Sequence, residues 1–177
     1  MSAATIRPAA ESDAEPVAML LAELGYDLPA AEAKKRLERT GQQVLVAEAD
    51  GQVIGLLAVS TLLSLTRAKP VLWVNAVVVT AGERGHGVGR ALMIAAEERA
   101  VTLGCEAIEL TSDIHKGRDA AHRLYDALGY LRTAQHFWKP LSKERADQKA
   151  RGPVSESAPC NQGRHLRQTL DPRLILV

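Results

Sequence analysis

Nine consecutive residues from Val71 read Val-Leu-Trp-Val-Asn-Ala-Val-Val-Val. β-Branched residues dominate, Asn75 is the one polar side chain, and no turn residue interrupts the run. Successive side chains of an extended segment point to opposite faces, so a strand this apolar leaves neither face to water. It demands cover on both sides, which a chain of 177 residues can supply by layering helices on a sheet. Aromatics make up only 3% of the chain, so that cover is aliphatic.

Elsewhere the hydrophobic period switches between two and 3.6. Residues 5–7 read as a short strand stopped at Pro8. Ser12 and Glu15 have capping-box spacing, and Val17, Leu20, Leu21 and Leu24 recur at helical intervals until Gly25. A second helix is expected over 30–39. Two β-rich runs, 44–49 and 53–59, meet across Asp50-Gly51, a strong hairpin signal. After the strand at 71–79, helical spacing runs over 89–103 and stops at Gly104. A strand over 107–111, a helix over 120–128 ended by Gly129, and a final strand over 132–141 complete the pattern. The hairpin implies antiparallel pairing early, and the strand–helix–strand units imply parallel neighbours later, joined by right-handed crossovers. The expected fold is a mixed sheet with helices on both faces, in the α/β or α+β class. Residues 142–177 lack usable periodicity and end in an apolar 174–177. They read as a polar tail, either flexible or adding to a sheet edge or to a second copy in a homodimer.

The formal net charge is +1, which gives no electrostatic footprint for nucleic acid. No run reaches the length of a membrane span, and a cytoplasmic location is the expectation. Cys105 and Cys160 are the only cysteines, and neither they nor the histidines have the spacing of a disulfide framework or a metal site.

Chemistry concentrates after Val79, where Thr80-Ala-Gly-Glu-Arg84-Gly85-His86-Gly87-Val88-Gly89-Arg90 leads into a helix. Alternating glycines at a helix N-terminus leave N–H groups unobstructed at the positive end of the dipole. Such a loop cradles a phosphate or pyrophosphate, and Arg84 and Arg90 add charge. A Walker A loop is excluded, because Val88 stands where its lysine belongs. The dinucleotide fingerprint fails at Arg90 or at Leu92, depending on the register chosen, although Glu109 lies about where a ribose-binding acid belongs.

This segment resembles motif A of the GNAT superfamily of acyl-CoA-dependent N-acyltransferases, whose pattern is Arg/Gln-x-x-Gly-x-Gly/Ala. Asp119-Ala-Ala-His122-Arg-Leu-Tyr125-Asp-Ala-Leu-Gly129-Tyr130 resembles motif B of the same family. The order of elements agrees over about residues 4–141, which makes 1–141 the expected N-acetyltransferase domain and leaves the tail without a counterpart. The resemblance implies acetyl-CoA as co-substrate, no metal, and an amine of a small molecule or protein as acceptor. It implies that the strand before the loop splays from its neighbour. There the main chain of Val77, Val78 and Val79 takes the pantetheine arm, and a backbone N–H near Val78 holds the oxyanion. The pyrophosphate is expected on the N–H groups of Gly85, His86, Gly87, Val88, Gly89 and Arg90, near the Arg84 side chain. Tyr125 matches the acid that protonates the departing thiolate.

Two positions depart from the family. Arg118 replaces an asparagine common seven residues before the tyrosine, and it either reaches a coenzyme phosphate or sits solvated at the helix start. Asn75 replaces a carboxylate often found on the motif A strand, and it cannot accept a proton from an ammonium. That leaves the general base open among Glu23, Glu48, Glu109, Asp113, His115 and a water relay. Trp73 shares a face with Asn75 and either walls the acceptor or packs in the core. His122 lies on the side of Tyr125 and reads as packing or surface. A non-catalytic coenzyme A binder of the same fold is the alternative function.

Overall fold

The computed structural model describes residues 4–39, 41–114, 116–137 and 139. Every described helix and strand lies in the unit Met1–Leu131. Its sheet comprises β1 (Thr5–Pro8), β2 (Gln42–Ala49), β3 (Gln52–Leu62), β4 (Val71–Val79) and β5 (Ala107–Leu110), ordered β1-β2-β3-β4-β5. The first four pair antiparallel, and β4 pairs parallel with β5 across the intervening helix, as the sequence pattern requires. Helices α1 (Ala14–Glu23), α2 (Ala30–Leu37), α3 (Val88–Thr102) and α4 (Asp119–Ala127) supply the cover.

Two cores sandwich the sheet. Val17, Leu20, Leu24 and Ala33 of the α1–α2 layer pack on Val46, Leu56, Ala58, Ala76 and Val78. On the other face Leu92, Met93, Ala96 and Ala100 of α3, with Tyr125 of α4, pack on Ala47, Leu57, Val59, Leu72 and Val74. Among the described residues Tyr125 is the one aromatic in the buried hydrophobic set, so the cover there is aliphatic as expected.

Even-numbered residues of β4 serve both cores, which strict alternation forbids. A β-bulge resolves this: Ala58 pairs with Ala76 and Val59 with Val74, leaving Asn75 unopposed. Leu72 and Val74 therefore face α3, whereas Ala76 and Val78 face α1 and α2.

Local chemistry closes the elements. Asp50 (φ 50°) and Gly51 (φ 75°) are both left-handed, the two-residue turn that matches strand twist. Helices α1, α3 and α4 end alike. The N–H of Tyr26, Cys105 and Tyr130 reaches back to the carbonyl of Leu21, Ala100 and Tyr125, each at 2.9 Å. In each case the preceding glycine takes a positive φ.

Two expectations change. The capping box at Ser12 and Glu15 does not form. A 3-10 turn over Glu11–Asp13 precedes α1, and Asp13 takes the capping role by accepting the Ala10 N–H at 2.7 Å. Asp13 prevails because Arg7 of β1 grips it with two bonds, Nη1 at 2.7 Å and Nη2 at 3.0 Å. Nor does the strand expected over 132–141 form in its described part. Residues 132–137 are neither helix nor strand, and all are exposed, so no buried face fixes a period-two pattern there. Residues 138, 140 and 141 and the tail 142–177 lie outside the described residues.

Candidate active site

The bulge at Asn75 falls where β4 loses a partner. Strand β5 pairs with Val71, Leu72, Trp73 and Val74 only, the last opposite Leu110. From Asn75 to Val79 the main chain is paired to β3 alone among the described residues. A bulge bends its strand, so β4 and β5 part at this point, and peptide groups of an interior strand are left free. Val77, Val78 and Val79 turn their side chains into the cores, leaving main chain as what they can offer.

Thr80 leaves β4 with its N–H on the Ile54 carbonyl (2.9 Å), and a 3-10 turn over Ala81–Glu83 leads to the glycines. Gly85 (φ 84°) and Gly87 (φ 86°) are left-handed, and a Cβ built on either meets nothing within 4 Å. Gly89 is glycine for a different reason: its Cβ would lie 3.3 Å from Leu124 Cδ2 of α4. Gly87 caps α3, so the first-turn N–H groups, including those of Val88, Gly89 and Arg90, have no intrahelical acceptor. Val88 is buried and anchors the turn, whereas Gly85, His86, Gly87 and Arg90 are exposed. His86 Nδ1 lies 3.7 Å from Glu83.

The Arg84 guanidinium is held by Nε on the Val79 carbonyl (2.9 Å) and by Nη2 on Glu23 Oε2 (2.6 Å). Glu23 Oε1 accepts from the Thr80 hydroxyl (2.8 Å) and the Ala81 N–H (3.4 Å). The end of α1 is thus tied to the start of the loop. Glu48 is bonded to Arg7 (2.6 Å), and Glu109 pairs with Arg67. Three of the base candidates therefore have cationic partners. Asp113 is also engaged, and His115 lies outside the described residues.

Asn75 donates its Nδ2 to Ser60 Oγ at 2.7 Å, on the face that Trp73 shares. His122 Nε2 lies 3.1 Å from Ser112 Oγ.

Tyr125 is 7% exposed. Its ring meets that of Tyr130 at 5.9 Å and 56°, the side-chain contact that accompanies this kind of helix end. Burial pushes the Tyr125 hydroxyl above the ordinary phenol value, and the Arg118 charge pulls it partly back. Tyr130 rises further, through burial and the Glu97 carboxylate, and its hydroxyl has no well-aligned hydrogen bond.

Sequence reasoning missed Tyr26. Burial raises its hydroxyl too, again opposed by Arg118, and the oxygen is buried without a hydrogen-bond partner among the described residues. The signal was present in Leu24-Gly25-Tyr26, since a terminating glycine fixes the residue that follows it.

No group of three metal-ligating side chains occurs among the described residues, nor does a helix long and apolar enough to cross a membrane.

Residues 8–130 match the Acetyltransferase (GNAT) family. An uncharacterized N-acetyltransferase, YhfO of Bacillus subtilis, is 32% identical over 133 residues, covering 71% of this chain and 88% of that protein. The aminoalkylphosphonate N-acetyltransferase of Salmonella typhimurium is 35% identical over 92 residues, covering 52% of this chain and 58% of that one. Among solved structures, a transcriptional regulator from Bacillus halodurans superposes with a TM-score of 0.69 at 28% identity, over 78% of this chain and 99% of that one.

Proposed function

Because the chain belongs to the acetyltransferase (GNAT) family, we propose that it moves the acetyl group of acetyl-CoA onto an amine by direct attack on the thioester. One observation carries the reading: β4 loses its β5 partner after Val74, directly before a glycine turn that opens α3. The unpaired edge fits the amide-bearing pantetheine arm. The open space at Gly85 and Gly87, beside free helix N–H groups, fits a pyrophosphate. Arg90 is exposed and has no ion-pair partner among the described residues, which supports a role in adding charge there.

In this reading the neutral amine nitrogen attacks the thioester carbonyl carbon, held close enough for proximity to supply much of the rate. A backbone N–H near Val78 stabilises the oxyanion. The carbon–sulfur bond then breaks, and the sulfur takes the proton of the Tyr125 hydroxyl. The new ammonium loses a proton to water, which returns one to the tyrosinate. Water is given this part because Asn75 cannot accept the proton and because Glu23, Glu48 and Glu109 are already paired.

A small amine is favoured by the likeness to the Salmonella relative, whose name gives an aminoalkylphosphonate as its substrate. Asn75 also supports a second reading, a coenzyme A binder without turnover, because the strand lacks its carboxylate.

Substituting Gly87→Val tests the coenzyme site. A β-branched residue at φ 86° is strained, at a cost of about 1–2 kcal/mol, and its side chain fills the space assigned to phosphate. Calorimetry on the folded variant is expected to show acetyl-CoA binding lost. Undiminished affinity contradicts the assignment.

A further inference from the structure

The glycine turn that opens α3 is held by a side chain from the other layer of helices. Among the described residues, Glu23 is the one side chain outside the segment 80–87 that bonds to it. Glu23 ends α1, where Leu20 and Leu24 anchor the helix in the α1–α2 core. Its Oε1 accepts from the Thr80 hydroxyl (2.8 Å) and the Ala81 N–H (3.4 Å), and its Oε2 accepts from Arg84 Nη2 at 2.6 Å. The segment it grips is otherwise open, with Ala81, Gly82, Gly85, His86 and Gly87 all exposed.

The guanidinium so held has a definite place. The Thr80 N–H bonds the Ile54 carbonyl of β3 at 2.9 Å, and main-chain groups alternate in direction along an antiparallel strand. The Val79 carbonyl therefore points away from β3, to the side where β5 has parted from β4. Arg84 Nε lies on that carbonyl at 2.9 Å. Arg84 thus stands on the free edge of β4, one residue before the first left-handed glycine of the loop, Gly85. In the reading above, the pantetheine arm runs along that edge and the pyrophosphate lies at the glycines, so Arg84 marks where the two join. Its Nη1 has no partner among the described residues, which leaves an edge of the guanidinium for an anion.

We propose that Glu23 is a positioning residue for the coenzyme: it holds the Arg84 guanidinium on the free edge of β4, set for the phosphate nearest the pantetheine arm. A loose arginine must be immobilised when a phosphate binds, and that ordering weakens binding. The Arg84 side chain is 57% exposed, so its two bonds are what keep it in place. With Glu23 holding it, the ordering precedes the coenzyme. Glu23 is itself an anion, but its repulsion of a phosphate is screened at so exposed a site, and the ordering effect prevails. The proposal rests on the acetyltransferase reading and adds to it a residue of the α1–α2 layer.

Calorimetry on the full chain measures the acetyl-CoA Kd of the wild type, Glu23→Gln, Arg84→Gln and the double variant. Glutamine keeps the length of Glu23 and can still accept from Thr80 and Ala81, but the amide nitrogen it turns to Arg84 cannot accept a bond. Glu23→Gln is expected to weaken binding by about 3–10-fold, the cost of immobilising one long side chain. Arg84→Gln removes the charge as well and is expected to weaken it by roughly 10–100-fold. Because Glu23 acts through Arg84, the double variant should match Arg84→Gln alone, whereas a Glu23 that acts independently gives additive losses. In turnover, Glu23→Gln should raise the KM of acetyl-CoA and leave kcat within about twofold. An unchanged Kd or additive losses overturn the proposal. Tighter binding overturns it too, by showing that Glu23 competes with the phosphate for Arg84. Each of these results leaves the coenzyme site standing. A wild-type chain that does not bind acetyl-CoA counts instead against the transferase reading, and the proposal falls with it.

Discussion

Tyr125 sits at the meeting of packing and chemistry, and a variant that removes only its hydroxyl separates the two. The ring is buried against Tyr130 and the α3 core, so Tyr125→Phe keeps nearly all of the packing. Positioned acid catalysis is worth about 10²–10⁴-fold, and kcat is expected to fall by roughly that factor while acetyl-CoA affinity stays put. Burial raises the hydroxyl pKa more than Arg118 lowers it, so the acid stays protonated up to and beyond the ordinary phenol range. The pH–rate profile should therefore show no alkaline loss from Tyr125 below about pH 10. A Phe variant with wild-type kcat, where chemistry limits turnover, leaves Tyr125 as a packing residue. Tyr125 could be singled out in the sequence because its helix carries a motif. For Tyr26 the sequence carried the position, through the terminating Gly25, but not the unpartnered hydroxyl, which is a property of the folded interior.

Elements whose signals are local came through the sequence well. The Asp50-Gly51 hairpin and the glycine-terminated helices need only backbone preferences of adjacent residues, and each formed. The bulge at Asn75 was not visible, because an apolar run of valines reads the same in either register. Nor was the tie between Glu23 and Arg84, which brings together residues 61 apart. The start of α1 follows the same rule, for Asp13 outcompetes Ser12 only through Arg7 on a neighbouring strand. That network yields a stability prediction. Asp13 is 5% exposed, and Asp13→Asn removes the charge from both bonds to Arg7, for an expected loss of about 1–3 kcal/mol. The Arg7 bonds hold the Asp13 carboxyl below its ordinary pKa, against the opposing effect of burial. Its stabilisation is thus complete above the ordinary carboxylate value of about 3.9 and is lost as pH falls through the lowered folded value. Thermal melts should show the wild-type advantage over the Asn variant at pH 7 shrinking toward acid. A constant gap from pH 7 to pH 2 contradicts the assignment.

At the scale of the molecule, the sheet topology and the family match at residues 8–130 describe one catalytic layer structure. We propose that the domain runs to about residue 141. In the reading proposed above, the parting of β4 from β5 and the glycine loop offer main-chain groups to the donor. Family-level features were readable because main-chain sites require glycine and strand patterns at fixed spacing. The acceptor was not readable, because no residue pattern of fixed spacing specifies it. The central claim, acetyl transfer to an amine, is tested most directly by following both products of one reaction. Purified full-length protein with acetyl-CoA and a panel of amines is assayed for free thiol and, by mass spectrometry, for acetylated amine. The account predicts thiol release that depends on one class of amine and equals the acetylated product mole for mole. Tight acetyl-CoA binding with no thiol released above the rate of spontaneous hydrolysis, across the whole panel, contradicts it and leaves a coenzyme A binder in its place.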